Sequence, residues 1–420
     1  MVESRTGEFK RGSRALFGAT IGAGCGLSSI SFYTHGVFVP AIVSDTGWSR
    51  GDVQLGVTIM ILMAVVSAPL AGTLIDKFGA RRIALCAIPL YGITLASFAL
   101  VNDSLWTYYA AWCVMSLLAA GTLPITWTRV VTAWFDNSRG LALGITLAGT
   151  GIAATFAPAY VSSLIEQSGW RIAYLLLAVT ITLIALPTVF AWFRDPPKLT
   201  ASNTSEHTTT QRGSLTSAIQ SYRFWLMAIG ILLVAAGIGG LITNAFPMLT
   251  DQGINAGEAA RYMGLIGVSV ITGRLVVGIL LDRFWAPLIA AVFLAAPCVS
   301  ALIFASDSLS PTTITVAVLI VGLAAGAELD LMAFLVSRYF GLASYGAVYG
   351  ALYVFFSVGA GIAPFAFGKA YDLFGSYDPI LAIVAGMSVA GAALLLMLGP
   401  YPIELAKHKT TAETMIRAEP

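Results

Sequence analysis

Arg274, Glu328 and Asp330 stand inside long apolar stretches of a 420-residue chain with few charges. An arginine far from water costs several kcal/mol unless it meets an opposite charge or a wet cavity. Its guanidinium stays ionised and holds a carboxylate through two parallel hydrogen bonds. Arg274 is therefore the first candidate for binding an anionic substrate. A carboxyl group in low dielectric favours its neutral form, which suits reversible proton uptake. Glu328 and Asp330 are the matching candidates for proton coupling. Residues two apart on a helix point roughly 200° away from each other. The two acids therefore cannot share one cavity: one can pair with Arg274 or take up a proton, and the other must face neighbouring helices.

A second tier of residues could assist. Tyr33, Tyr349 and Tyr353 can donate hydrogen bonds to a carboxylate, or serve as packing. His35 can titrate near neutral pH, or act as a wall residue. Asp76, Arg81, Arg82, Asp282 and Arg283 cluster at helix ends and read as cytoplasmic gate charges that pair across two halves of the molecule in the outward-open state and separate when it rocks. Arg129, five residues before Trp134, can snorkel to the same face or join that gate. The four cysteines, Cys25, Cys86, Cys113 and Cys298, lie in apolar surroundings without metal-ligand spacing, and neither a metal nor a cofactor is expected. Gly22, Gly24 and Gly26, and the run from Gly144 to Gly151, superficially suggest nucleotide loops. Within apolar helices, small residues instead permit close packing. No phosphate-loop lysine follows them, so ATP is not expected, and no catalytic constellation is found.

The elements that must carry these residues follow from composition. Hydrophobic residues make up 57% of the chain and charged residues 10%, against about 25% charged in soluble domains. Mean hydropathy is +0.83. The pattern predicts an all-α membrane protein with helices at 14–38, 52–75, 83–101, 106–132, 140–164, 171–193, 223–249, 257–281, 287–306, 312–338, 345–368 and 379–402. The first apolar stretch, from about Leu16 to Ile42, is too long for a cleaved leader and is expected to remain as a span. With the N-terminus cytoplasmic, 17 lysines and arginines fall inside and four outside. That bias predicts both termini in the cytoplasm. The net charge of +2 gives no reason to expect nucleic acid.

The chain also repeats itself. Gly72, Asp76 and Lys77 return as Gly278, Asp282 and Arg283, and Gly140, Gly144 and Pro158 return as Gly346, Gly350 and Pro364, all at an offset of 206. A shared offset of half the chain predicts two pseudo-symmetric six-helix bundles in parallel duplication. Their expected limits are 1–193 and 223–402, joined by a Ser/Thr-rich linker at 194–222 and followed by a tail at 403–420. At that offset Arg274 corresponds to Ala68, and at the local offset of 205, which relates Trp134-Phe135 to Tyr339-Phe340, Glu328 and Asp330 correspond to Leu123 and Ile125. The first half is thus neutral at all three positions, and the duplicated scaffold does not need these charges. Arg274 lies about 12 Å from the inner end of its helix, and the two acids about 12–15 Å from theirs. All three therefore fall near the bilayer midplane.

The segment containing Gly72, Asp76, Lys77, Gly79, Arg81 and Arg82 resembles the loop signature of the major facilitator superfamily. Within it, the chain is similar to monocarboxylate transporter-like carriers, bacterial members included. The matching pieces are Tyr33 to Phe38, Gly47 to Arg50, Trp134-Phe135 with Arg139-Gly140, Gly273 to Leu275, Gly326 to Asp330, and Arg338 to Gly341. The resemblance implies a small organic anion as substrate, often with protons. Two departures matter. Val270 stands where the animal carriers have an aspartate, so the resemblance does not supply the proton carrier. The helix at 345–368 lacks the interior lysine of oxalate–formate exchangers, which argues against a doubly charged substrate.

These readings together predict a monomeric secondary transporter of the plasma membrane, moving a monocarboxylate and a proton. An anion exchanger, an exporter of drug-like compounds and a membrane sensor or receptor are the alternatives.

Overall fold

The computed structural model describes residues 5–102, 104–135, 138–196, 215–281, 283–306, 309–341 and 344–401. Long apolar runs form helices throughout, and no strand occurs among the described residues. Ten of the helices are long and apolar enough to cross a membrane. One of them, Arg139–Trp192, breaks at Gly169 (φ 77°), the kind of positive φ that glycine tolerates. It therefore supplies two spans. Leu105–Leu118 and Pro124–Trp134 together make another. Among the described residues the result is twelve spans in two six-helix bundles.

We number them α1 (Arg5–Gly24 with Leu27–Thr46), α2 (Arg50–Phe78), α3 (Ala80–Ala96), α4 (Leu105–Leu118 with Pro124–Trp134), α5 (139–168) and α6 (170–192). The second bundle holds α7 (Tyr222–Asp251), α8 (Ala256–Leu281), α9 (Ala286–Ala295 with Pro297–Phe304), α10 (Pro311–Tyr339), α11 (Tyr345–Phe374) and α12 (Asp378–Leu396). A short helix, Leu215–Ile219, occupies part of the stretch expected to be linker. Residues 197–214 and 402–420, which hold most of the expected linker and nearly all of the tail, lie outside the described residues.

The expected first helix starts earlier, ends later and is broken. Its break at Cys25 and Gly26 meets the break in α4. The Leu27 amide donates to the Thr122 hydroxyl at 3.1 Å, and the Trp127 indole donates to the Thr122 carbonyl at 3.0 Å. A side chain on Gly26 would collide with that carbonyl. The α4 break thus supplies an acceptor for a backbone amide at the α1 break, and an indole of α4 itself satisfies the freed Thr122 carbonyl, as a membrane interior demands. Continuous hydropathy hid both.

The two bundles meet along helices stripped of side-chain bulk. In α5, Gly151 and Thr155 lie against Gly264 and Gly267 of α8, backbone to backbone. Gly51 of α2 lies against Gly368 of α11, and Gly36 of α1 against the Thr243 carbonyl of α7. In lipid, such small-residue contacts supply the packing that hydrophobicity cannot.

Candidate functional site

Arg274 sits on α8, a helix locked to α10 beside the arginine itself. Gly326 of α10 is so close to α8 that an added Cβ would lie 3.1 Å from the Arg274 amide nitrogen and still nearer the Val270 carbonyl. One turn away, the Ser269 hydroxyl donates to the Leu319 carbonyl at 2.5 Å. This seam fixes the height of Arg274 relative to Glu328 and Asp330. Gly326→Ala is expected to destabilise the protein by about 1–3 kcal/mol through overpacking. The check is the thermal midpoint of detergent-purified protein, and an unchanged midpoint would contradict so tight a seam.

The Arg274 side chain is half-buried, and its Nε is sealed from solvent without a hydrogen-bond partner. Among the described residues, no ion pair joins it to a carboxylate. It lies within electrostatic reach of Tyr33 on α1, Asp330 on α10 and Tyr349 on α11. Those three helices come from both bundles, so the guanidinium faces the space between them. The two acids part company as their spacing requires. Asp330 is half-buried and shares the field of Arg274. Glu328 is 5% exposed, and its Oε1 is buried without a partner.

The aromatic candidates distribute unevenly. Tyr349 stacks between Tyr345 and Tyr353, with ring centroids 5.6 Å and 6.4 Å apart. Tyr33 packs against the edge of Phe32 at 5.2 Å. His35 is 1% exposed, set edge-on to Trp112 at 5.3 Å and beside Gln54. Nothing places it with Arg274. No group of His, Cys, Asp and Glu among the described residues could hold a metal ion.

This fold and site can be set beside known proteins. The family model of the Major Facilitator Superfamily matches residues 21–364. The chain belongs to the major facilitator superfamily. An uncharacterized transporter of that superfamily, YhjX of Escherichia coli strain K12, is 22% identical over 79% of this chain and 82% of its own. Monocarboxylate transporter 11 of Homo sapiens is 25% identical over 63% of this chain, and the match spans 55% of the human protein. Among solved structures, a variant of the nucleoside transporter NupG aligns with a TM-score of 0.74 at 16% identity, over 92% of this chain and 99% of that one. An inward-facing bacterial homolog of the lysosomal transporter Spinster aligns with a TM-score of 0.66 at 17% identity, over 92% and 95%.

In this major facilitator, the expected gate charges for which the described residues show a partner find it without crossing between the bundles. Asp76 pairs with Arg129 of the same bundle, not across to the other. The Arg81 guanidinium donates to the Phe190 carbonyl at 2.7 Å, and its amide approaches the Asp195 carboxylate at 3.3 Å. Arg82 and Arg283 are exposed. Asp282 lies outside the described residues. Pairing across the bundles needs the two to meet at these helix ends, and the partners found for Asp76 and Arg81 belong to their own bundle.

The polar contacts that cross between bundles gather instead on the distal face, the one holding residues 46–50, 251–256 and 374–378. Arg50 of α2 grips both oxygens of Asp251 on α7, donates to the Tyr377 hydroxyl at 2.7 Å and lies over the Tyr371 ring at 3.8 Å. Asp372 of α11 accepts from the Arg50 and Gly51 amides, both at 2.9 Å. Lys369 reaches Asp52 at 3.2 Å. One turn deeper, Gln54 donates to Asn244 at 2.7 Å. Arg50 and Lys369 are two of the four basic residues expected outside, and nothing in the sequence pairs them with Asp251 and Asp52, more than 200 positions away. The available signal was their position at helix ends on a face with just four basic residues.

Proposed function

We propose that this facilitator carries a small monocarboxylate together with a proton by alternating access. The observation that carries the reading is the unpartnered Arg274 guanidinium between the bundles, with Asp330 in its field. A substrate carboxylate that engages Arg274 neutralises the charge that Asp330 senses. Asp330 then binds a proton more readily, because a lone carboxylate in low dielectric is costly. Anion and proton therefore favour each other's binding. Glu328 is buried, and its Oε1 has no hydrogen-bond partner among the described residues. Its oxygen is an additional proton-holding group on the same helix. His35 sits on Trp112 and beside Gln54, which joins the distal closure through Asn244.

The closed distal face corresponds to a state in which the substrate enters or leaves on the N-terminal side. The excess of basic residues at that end supports a cytoplasmic location for it. The bundles divide at the 194–222 linker, and the protein acts as a monomer in the plasma membrane, driven by gradients and not by ATP. Monocarboxylate transporter 11, named among the relatives, lends support at low identity.

Proteoliposome uptake of labelled small carboxylates with and without an inward proton gradient tests the reading. The gradient is expected to accelerate uptake at least tenfold. Asp330→Asn is expected to lose that acceleration while keeping exchange between labelled and unlabelled substrate. Gradient-independent uptake with fast exchange would make the protein an anion exchanger and defeat the symport.

A further inference from the structure

We propose that the carried acid bears an aromatic ring, and that the Tyr345–Tyr349–Tyr353 stack on α11 is the surface that selects it. The proposal deepens the anion-carrier reading above and rests on it. The three tyrosines recur every four residues, about 6 Å of helix rise per step, and Phe356 extends the stack at 5.5 Å from Tyr353. Their rings lie at 19–27° to one another. Among the described residues, no ring from another helix covers this column. The opposite side of α11 differs: Phe355 packs at 6.3 Å and 6.0 Å on Phe224 and Trp225 of α7. One aromatic face of α11 thus belongs to the bundle, and the other stands half-buried.

That second face points toward Arg274, because Tyr349 lies within electrostatic reach of both Arg274 and Asp330. The Tyr345 and Tyr349 hydroxyls make no hydrogen bond to a described residue, and neither is a sealed atom. If the face served only as an apolar wall, leucine would do so without leaving hydroxyls to be solvated. The stacked tyrosines leave their ring edges open, and a flat ring laid against those edges gains edge-to-face attraction beyond its buried area. With the carboxylate held by Arg274, the ring of an aryl acid falls alongside Tyr349. Tyr345, one turn nearer the N-terminal end, offers the same surface along the way.

Thermal stabilisation of purified protein by phenylacetate, cyclohexylacetate and lactate tests this, with affinities taken from titrations. Cyclohexylacetate presents the same charge on a ring of similar size that is not aromatic. Phenylacetate is expected to bind about tenfold tighter than cyclohexylacetate, the scale of one aromatic pair. Tyr349→Leu should erase that ratio while both acids still bind, and Tyr349→Phe should keep it. Equal affinities in the wild type, or a ratio that survives both Tyr349→Leu and Tyr353→Leu, would overturn the proposal and leave the carrier reading standing. Binding of none of the three acids, or binding that Arg274→Ala does not change, would defeat the carrier reading and this proposal with it.

Discussion

Arg274→Ala is expected to abolish carboxylate binding and uptake while the protein still folds and reconstitutes. The side chain has no ion pair to lose among the described residues, and its Nε lacks a hydrogen-bond partner, so its removal relieves a desolvated charge. What disappears is the charge-assisted, two-point hold on the substrate. Losing one partner of a buried hydrogen-bonded charge pair costs about 2–5 kcal/mol. At tenfold per 1.4 kcal/mol, affinity should fall by a factor of about 30 to several thousand. Arg274→Lys keeps the charge but not the fork, and should recover only part of the loss. Titrated thermal shifts and proteoliposome uptake measure both. A thermal midpoint at or above that of the wild type, together with lost binding, is the expected pair of results. Wild-type affinity in the alanine variant would remove Arg274 from the site.

Arg50→Ala is expected to shift the molecule away from the distally closed state. One guanidinium makes the two-oxygen grip on Asp251, the bond to Tyr377 and the stack on Tyr371. All three partners belong to the other bundle, so they are lost when the distal face opens. The pair is partly exposed, at 14% and 25% for the two side chains, so the value of a buried bridge does not apply in full. A loss of about 2 kcal/mol, for a charged hydrogen bond with its cation–π contact, corresponds to a roughly thirtyfold change in the closed-to-open ratio. Spin labels at residues 46 and 252, at the distal ends of α1 and α7, should report a longer-distance population in the variant. Distance distributions that match the wild type would show that the closure depends on other contacts.

The architecture was legible because lipid punishes exposed polar backbone so heavily that apolar runs must become spans. The offset of 206 disclosed the duplication, and the neutral first-half counterparts Ala68, Leu123 and Ile125 singled out the added charges. Spacing alone also required Glu328 and Asp330 to face different ways. It could not say which one sees Arg274, because that depends on the rotation of α10 set by Gly322 and Gly326 against α8. The breaks in α1 and α4 were invisible for a related reason: they meet through Gly26 and Thr122, 96 positions apart, and hydropathy does not sense such pairing. The cytoplasmic gate was expected from its motif, whereas the distal cluster rests on contacts between Arg50 and residues more than 200 positions away.

Asp372 gives the distal closure one more property. The first turn of α2 has three free amide hydrogens to satisfy. Its own Ser49 takes that of Asp52, while those of Arg50 and Gly51 are taken by a carboxylate from the opposite bundle. Opening therefore uncaps a helix as well as separating charges. Ion pairs weaken as salt rises, but a short-range bond to backbone amides is much less affected. High ionic strength should loosen the Lys369–Asp52 contact and leave much of the closure intact. The two bundles are joined on that side partly by shared secondary structure, so α2 begins only where its neighbour allows it to.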